Sequence, residues 1–178
     1  MARLRISRSA GALLLLGLFA VSACRDTGGA EDAFFEVGGK LFVFNYRVAT
    51  ARYLVNLNPL RPIEAGQTAV ARFEDPAGGD DIEVRQAIWP KLSKTTIESP
   101  PVRCVVKDRP YKVSIRIEGP EGKLLQSIET TITSSENQDL LPDRPLVVGP
   151  FYTSNPDLAG RPDGKLPGED QATCPAAT

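Results

Sequence analysis

Three cysteines, one tryptophan and no histidine set the chemical vocabulary of this 178-residue chain. Without histidine there is no Ser–His–Asp or Cys–His arrangement and no histidine ligand for a metal. A serine activated by lysine needs two side chains that converge in space, and Ser93 and Lys94 are merely adjacent in sequence. Asp80, Asp81 and Glu83, or Glu118 with Glu121, bring carboxylates near enough for acid–base work or calcium. Both groups sit in turn-forming sequence, where solvated loops are the plainer reading. The acids Asp157, Asp163, Glu169 and Asp170 lack calcium-loop spacing, and Gly28-Gly29 and Gly78-Gly79 lack the Lys and Ser/Thr that complete a phosphate cradle. No catalytic residue, metal site or cofactor is expected. Trp89, directly before Pro90, is the one candidate for ligand contact, because indole rings stack on sugars and are enriched at binding hot spots. Its competing role, the one expected here, is to fill a core or close a strand.

Cys24 closes the only long apolar run. Arg3, Arg5 and Arg8 precede it with no acid before Asp26, an apolar stretch runs from Ala10 to Val21, and the small residues Ser22 and Ala23 follow. A basic start, a short apolar centre and a small-residue exit make a secretory signal. The run, interrupted by Gly11 and Gly17, is shorter than the ~20 residues a spanning helix needs. The arginines are not paired, which favours export by the general route.

Val21-Ser22-Ala23-Cys24 resembles the lipobox of bacterial lipoproteins, with Val in place of the usual Leu. The resemblance covers the first two dozen residues. It implies cleavage before Cys24, a diacylglyceryl group on its thiol and acylation of the new amine. The plain alternative is an ordinary signal cut after Ala23. One acyl chain holds a protein only marginally, whereas two or three give a durable anchor. In that family Asp after the lipidated cysteine marks retention at the inner membrane. Here Arg25 follows and Asp26 comes one place later, so the expected address is the periplasmic face of the envelope, at the outer membrane rather than the inner. Lipidation of Cys24 leaves Cys104 and Cys174 in an oxidising compartment, where disulfides persist. These two are expected to pair; separate thiols or an intermolecular bridge are the alternatives.

Removing Arg3, Arg5 and Arg8 takes the formal charge from −1 to −4. No Lys/Arg cluster survives, so nucleic acid is not an expected partner. The expected partners are a membrane, held through the N-terminal lipid, and a protein of the envelope. Four segments follow from composition: a signal at 1–23, a lipidated tether at 24–33, a folded domain at 34–152 and an irregular Pro/Gly-rich tail at 153–178. The nine tether residues Arg25–Ala33 reach ~30 Å at most.

The folded domain reads as strands. Residues 34–37 (FFEV) precede Gly38-Gly39, and the β-rich segment 40–58 is too long for one ordinary strand, so a bend or bulge is expected near Ala49–Ala51. Segments 68–73 and 81–89 alternate. The clearest alternation is YKVSIRIE at 111–118, with Tyr111, Val113, Ile115 and Ile117 on one face. GPEGK at 119–123 turns the chain back into 124–133, and 145–152 supplies a further strand. A turn of helix is possible at 134–141. Leu41-Phe42-Val43-Phe44, apolar on both faces, is expected to be a central strand, the alternative being an edge. Seven or so short strands broken by turns predict an all-β, antiparallel β-sandwich. VVKDRPYKVSIRI is similar to the tyrosine corner of immunoglobulin-like and fibronectin type III domains, which implies an immunoglobulin-like arrangement; a small barrel is the rival. The functional expectation is a lipid-anchored, non-enzymatic binding or assembly module, with a carbohydrate- or small-ligand-binding domain using Trp89 and nearby tyrosines as the alternative.

Overall fold

The computed structural model describes residues 33–166 and 174–175. The signal, Cys24 and the tether up to residue 32 lie outside the described residues. The described chain is an antiparallel β-sandwich. One sheet holds β1 (Phe35–Asn45), β2 (Thr50–Pro59) and β5 (Thr95–Glu98) in the order β1-β2-β5. The other holds β3 (Thr68–Phe73), β4 (Ile82–Ala87), β6 (Pro110–Glu118) and β7 (Leu124–Thr133) in the order β4-β3-β6-β7. A two-stranded hairpin, β8 (Val147–Val148) with β9 (Thr153–Ser154), follows. The boundary expected at residue 152 thus falls inside that hairpin.

Alternation explains which faces meet. Tyr111, Val113, Ile115 and Ile117 of β6 are buried, as are Ala69, Ala71 and Phe73 of β3 and Ala51, Tyr53, Val55 and Leu57 of β2. Period two puts each set on the inner face of its sheet, where removal of apolar area from water drives closure. Aromatic rings fill the middle: Phe42 lies 4.3 Å from Tyr53 between centroids, Tyr53 stacks on Phe73 at 5.0 Å, and Phe42 meets Tyr111 edge-on at 5.4 Å.

Three local expectations are corrected. The long segment 40–58 neither bends nor bulges but reverses. Asn45 accepts a hydrogen bond from Val48 N–H at 3.4 Å, Tyr46–Val48 form a 3-10 turn, and Ala49 sits in the left-handed region at φ 52° before β2 begins. Gly38 does not separate two strands. The register shifts between Val37 and Gly39 while β1 continues through the irregularity, and a side chain at 38 would meet that of Asn58 across the ladder, which is why glycine fits there. Finally, β1 is an edge rather than a central strand, with Leu41 and Val43 exposed on its outer side. Gln126 of β7 shields the start of that edge. Its side-chain oxygen accepts from Phe34 N–H (2.8 Å) and Phe35 N–H (2.9 Å), and its amide donates to Phe35 O (2.9 Å). An unpaired ladder end is otherwise a template for association.

Pairing fixes two poles. Phe35 faces Pro59 at one end of β1 and Asn45 faces Thr50 at the other. Thr68, Ala87 and Glu118 are in register, and Gln126 ties that end of the second sheet to Phe35. Loops 60–67, 88–94 and 119–123 therefore cluster at the pole where the chain enters. The β1–β2 turn, loop 74–81, the β5–β6 connection 99–109 and segment 134–143 occupy the opposite pole. There Tyr53 Oη donates to Glu74 O at 2.8 Å and Val102 N–H to Ala51 O at 2.9 Å. With 11 residues at ~3.3 Å each, β1 separates the poles by ~36 Å.

Candidate functional site

At the pole remote from chain entry, loop 99–109 forms no continuous strand and is held by side chains. Tyr111, at the start of the sixth strand, accepts a hydrogen bond from Val106 N–H at 2.7 Å, and its hydroxyl lies 3.5 Å from Cys104 O. This is the tyrosine-corner geometry that the sequence at 105–117 implied. Gln138 grips the same loop three times: its side chain accepts from Val105 N–H (3.1 Å) and donates to Val102 O (3.1 Å), and its backbone N–H donates to Val105 O (2.9 Å). Asn137 accepts from Lys107 N–H at 2.8 Å. Cys104 takes φ 65° and bonds Cys174 across a Cα–Cα distance of 5.4 Å, so the expected disulfide is present and staples the chain's end to this pole.

Between the β1–β2 turn, this loop and segment 137–145 lies a cavity of about 730 Å³. Val102 and Leu141 give its wall an apolar part, Arg103, Asp139 and Asp143 a charged one, and Cys174 also lines it. Its volume lies within the range of small-ligand pockets. Beside it stands the β8–β9 hairpin. Leu146 N–H donates to Arg47 O (2.9 Å), Asn155 N–H to Leu146 O (2.9 Å) and Asn155 Nδ2 to Pro145 O (2.8 Å). From this base Gly149 (φ 72°) and Tyr152 (φ 52°) turn the chain. Phe151 is left 87% exposed, and Tyr152 lies under the Arg47 guanidinium at 5.3 Å. Sequence reasoning missed this tip because PLVVGPFY reads as one short strand. Nor is the segment after 153 wholly irregular: Leu158 is buried, and Lys165 Nζ donates to Asp139 O and Leu141 O at 2.7 and 2.6 Å.

Trp89 sits at the other pole and is 63% exposed, so it does not fill the core. Ile88 takes the inward position, donating its N–H to Gln67 O at 3.0 Å. Pro90, Lys91 at φ 110° and a Leu92 N–H to Trp89 O bond (3.2 Å) then push Trp89 and Leu92 outward. No tyrosine accompanies it. Tyr53 and Tyr111 are buried in the core, and Tyr46 and Tyr152 belong to the opposite pole. Burial, then the nearby Tyr111 and Glu74, push the Tyr53 phenol far above its ordinary range, so it stays a neutral donor.

The carboxylate groups do not converge. Asp80 and Asp81 are exposed, while Glu83 turns to Arg72 at 3.0 Å. Glu118 is not a solvated turn residue: its side chain is buried on the outer face of the four-stranded sheet between Arg85 (2.7 Å) and Arg116 (2.6 Å). Burial pushes this carboxyl up, but the two guanidinium hydrogen bonds outweigh it and hold the group below the usual carboxylate range. Ser93 and Lys94 are both exposed in the Trp89 loop.

The fold thus places the chain in the class of antiparallel β-sandwiches. No protein-family model matches the sequence, and no curated protein does. Among solved structures, the Bacteroides uniformis β-glucuronidase is similar over 57% of this chain, at 14% identity and a TM-score of 0.36. The chain spans 13% of that enzyme's length, and a likeness at this level says nothing of function.

Proposed function

We propose that the protein is a lipid-anchored, non-enzymatic module of the bacterial envelope, facing the periplasm, that binds or assembles a protein partner through the pole remote from its anchor. The observation that supports this reading is the position of Phe34. The chain enters at one pole, ten residues after Cys24, while the 730 Å³ cavity and the Phe151–Tyr152 tip lie at the other. Acylated at Cys24, the chain holds the entry pole near its bilayer and presents the tip away from it. Aromatic side chains beside an arginine are the residue types that dominate interface energetics.

Two measurements test it. Mass spectrometry of the mature N-terminus should find a diacylglyceryl group on Cys24, lost in Cys24→Ser; a bare terminus on a freely soluble protein sinks the anchor. A photocrosslinking residue at position 151 should give a discrete adduct in intact envelopes, whereas one at Ser127, on the outer face of β7, should give none. Equal labelling from both positions sinks the binding pole. A second reading, a carbohydrate or small ligand stacked on Trp89, is favoured by the exposure of that ring. Titrating its fluorescence with monosaccharides tests it, and an unchanged spectrum rejects it.

A further inference from the structure

The entry pole has a surface of its own. Trp89, Leu92 and Leu60 stand exposed on two neighbouring loops, and Leu124 at the start of β7, next to a third. Those loops, 60–67, 88–94 and 119–123, carry Arg61, Lys91, Lys94 and Lys123 against only Glu64 and Glu121. The three lysines are exposed, and none is held in an ion pair among the described residues. The opposite pole has the reverse balance. Loop 74–81 carries Glu74, Asp75, Asp80 and Asp81 with no basic residue, segment 134–143 adds Glu136, Asp139 and Asp143, and loop 99–109 adds Asp108, offset in part by Arg47, Arg103, Lys107 and Arg109 and by the adjoining Arg144 and Lys165. The sandwich is thus polarised in charge along its length, basic where the chain enters and acidic where it is stapled.

Resting on the anchored reading above, we infer that the entry pole docks onto the lipid bilayer that holds the anchor, with Trp89 in the interfacial layer and Lys91, Lys94 and Lys123 against anionic headgroups. Three observations favour a bilayer over a protein. The tether cannot let this pole stray more than ~30 Å from Cys24. Indole is the side chain most at home at a membrane–water boundary, apolar in body with one N–H donor. Lysines flanking exposed leucines match an anionic surface, while the acidic pole is repelled from it. Docking fixes the orientation of the sandwich, so the Phe151 tip projects along the bilayer normal instead of sweeping the surface.

Trp89 is the only tryptophan in the chain, so its emission reports this pole alone. The experiment uses the full mature protein reconstituted into phosphatidylcholine vesicles with and without phosphatidylglycerol, with bromine placed on the acyl chains as a quencher. Expected are a blue shift and roughly twofold or greater quenching by the brominated lipid, stronger with phosphatidylglycerol. The triple variant Lys91→Glu, Lys94→Glu, Lys123→Glu should lose most of the phosphatidylglycerol-dependent part with an unchanged melting temperature. Mass spectrometry of the same sample separates the two claims. Protein that is acylated and vesicle-bound, yet emits as it does in solution, overturns docking and leaves the anchor standing. If the protein is unacylated, the anchor fails, and an unshifted spectrum on adding anionic vesicles then overturns docking as well. Shielding of Trp89 only by a lipid-free envelope extract would give this pole to a protein and overturn the inference.

Discussion

The two ends of this sandwich are built on different principles. At the entry pole the loops run from five to eight residues. One side chain, Gln126, completes the backbone hydrogen bonding where β1 begins. At the far pole the 11-residue connection 99–109 has only isolated bridges to the sheets. It keeps its shape through Tyr111, Gln138, Asn137 and a disulfide. The contrast teaches that the far pole is an irregular surface held by pinned side chains, with a cavity and a projecting hairpin that regular strands would not leave.

The sharpest way to break that contrast is to unpin the far pole. Replacing Cys104 and Cys174 by serine opens a loop with a sequence separation of 70, and the chain-entropy account puts the loss at about 4 kcal/mol. Chemical denaturation of oxidised, reduced and doubly substituted protein measures it. Reduced and substituted forms should agree, and both should lose stability against the oxidised form. If all three coincide, the far pole is held by its hydrogen bonds alone.

Tyr111→Phe comes next. It keeps the ring in the core but leaves the part-buried Val106 N–H without its acceptor and frees the loop from the strand, a loss of about 1–2 kcal/mol. Tyr53→Phe removes a bond to the Glu74 carbonyl and should cost about 1 kcal/mol. The pair sharpens the comparison, because both tyrosines are fully buried and differ mainly in whether they hold the irregular loop. Equal losses would mean that the corner is no more than another core hydrogen bond.

The sequence made the strands legible wherever one face of a segment is apolar. The alternation at 111–118 gives β6 directly, and its tyrosine announces the corner. The same parity, followed one step further, would have placed Trp89 correctly: Ile82, Val84, Gln86 and Ile88 share the inward side, so the next residue points out. The reversal at 46–49 was hidden because its turn contains neither Gly nor Pro. Asn45 caps it and Ala49 takes the left-handed conformation that glycine would advertise. Glu118 was hidden for another reason. Its burial comes from Arg85 on β4 and Arg116 on β6, and the first of these reaches it only once β3 has brought the two strands into one sheet. The polarity of the two poles was illegible for the same cause, since loops far apart in sequence cluster only through the sheet order.

Glu118 gives the prediction that depends on pH. Its folded carboxyl lies below the unfolded value of about 4.3. Its contribution is therefore complete above that value and is lost as pH falls through the folded pKa. Glu118→Gln should lower the melting temperature at neutral pH, and the curves of the two proteins should converge in acid. Parallel curves would show that the two arginines lie against the carboxylate without favouring its charge.

The smallest effect on stability belongs to Phe151, and it bears most directly on what the far pole is for. A ring left 87% exposed contributes almost nothing to folding, so Phe151→Ser should shift stability by no more than about 0.5 kcal/mol. An exposed aromatic at an interface, by contrast, can carry 2 kcal/mol or more of binding, roughly a thirtyfold loss of affinity when truncated. The same substitution should therefore leave the melting curve in place while abolishing the crosslinked species formed from a probe at the neighbouring Val148. The corresponding change at the other pole, Leu92→Ser, should leave that species intact. If the tip can be altered without changing the adduct, partner recognition does not run through it, and the cavity beside Cys174 becomes the part of this pole to probe.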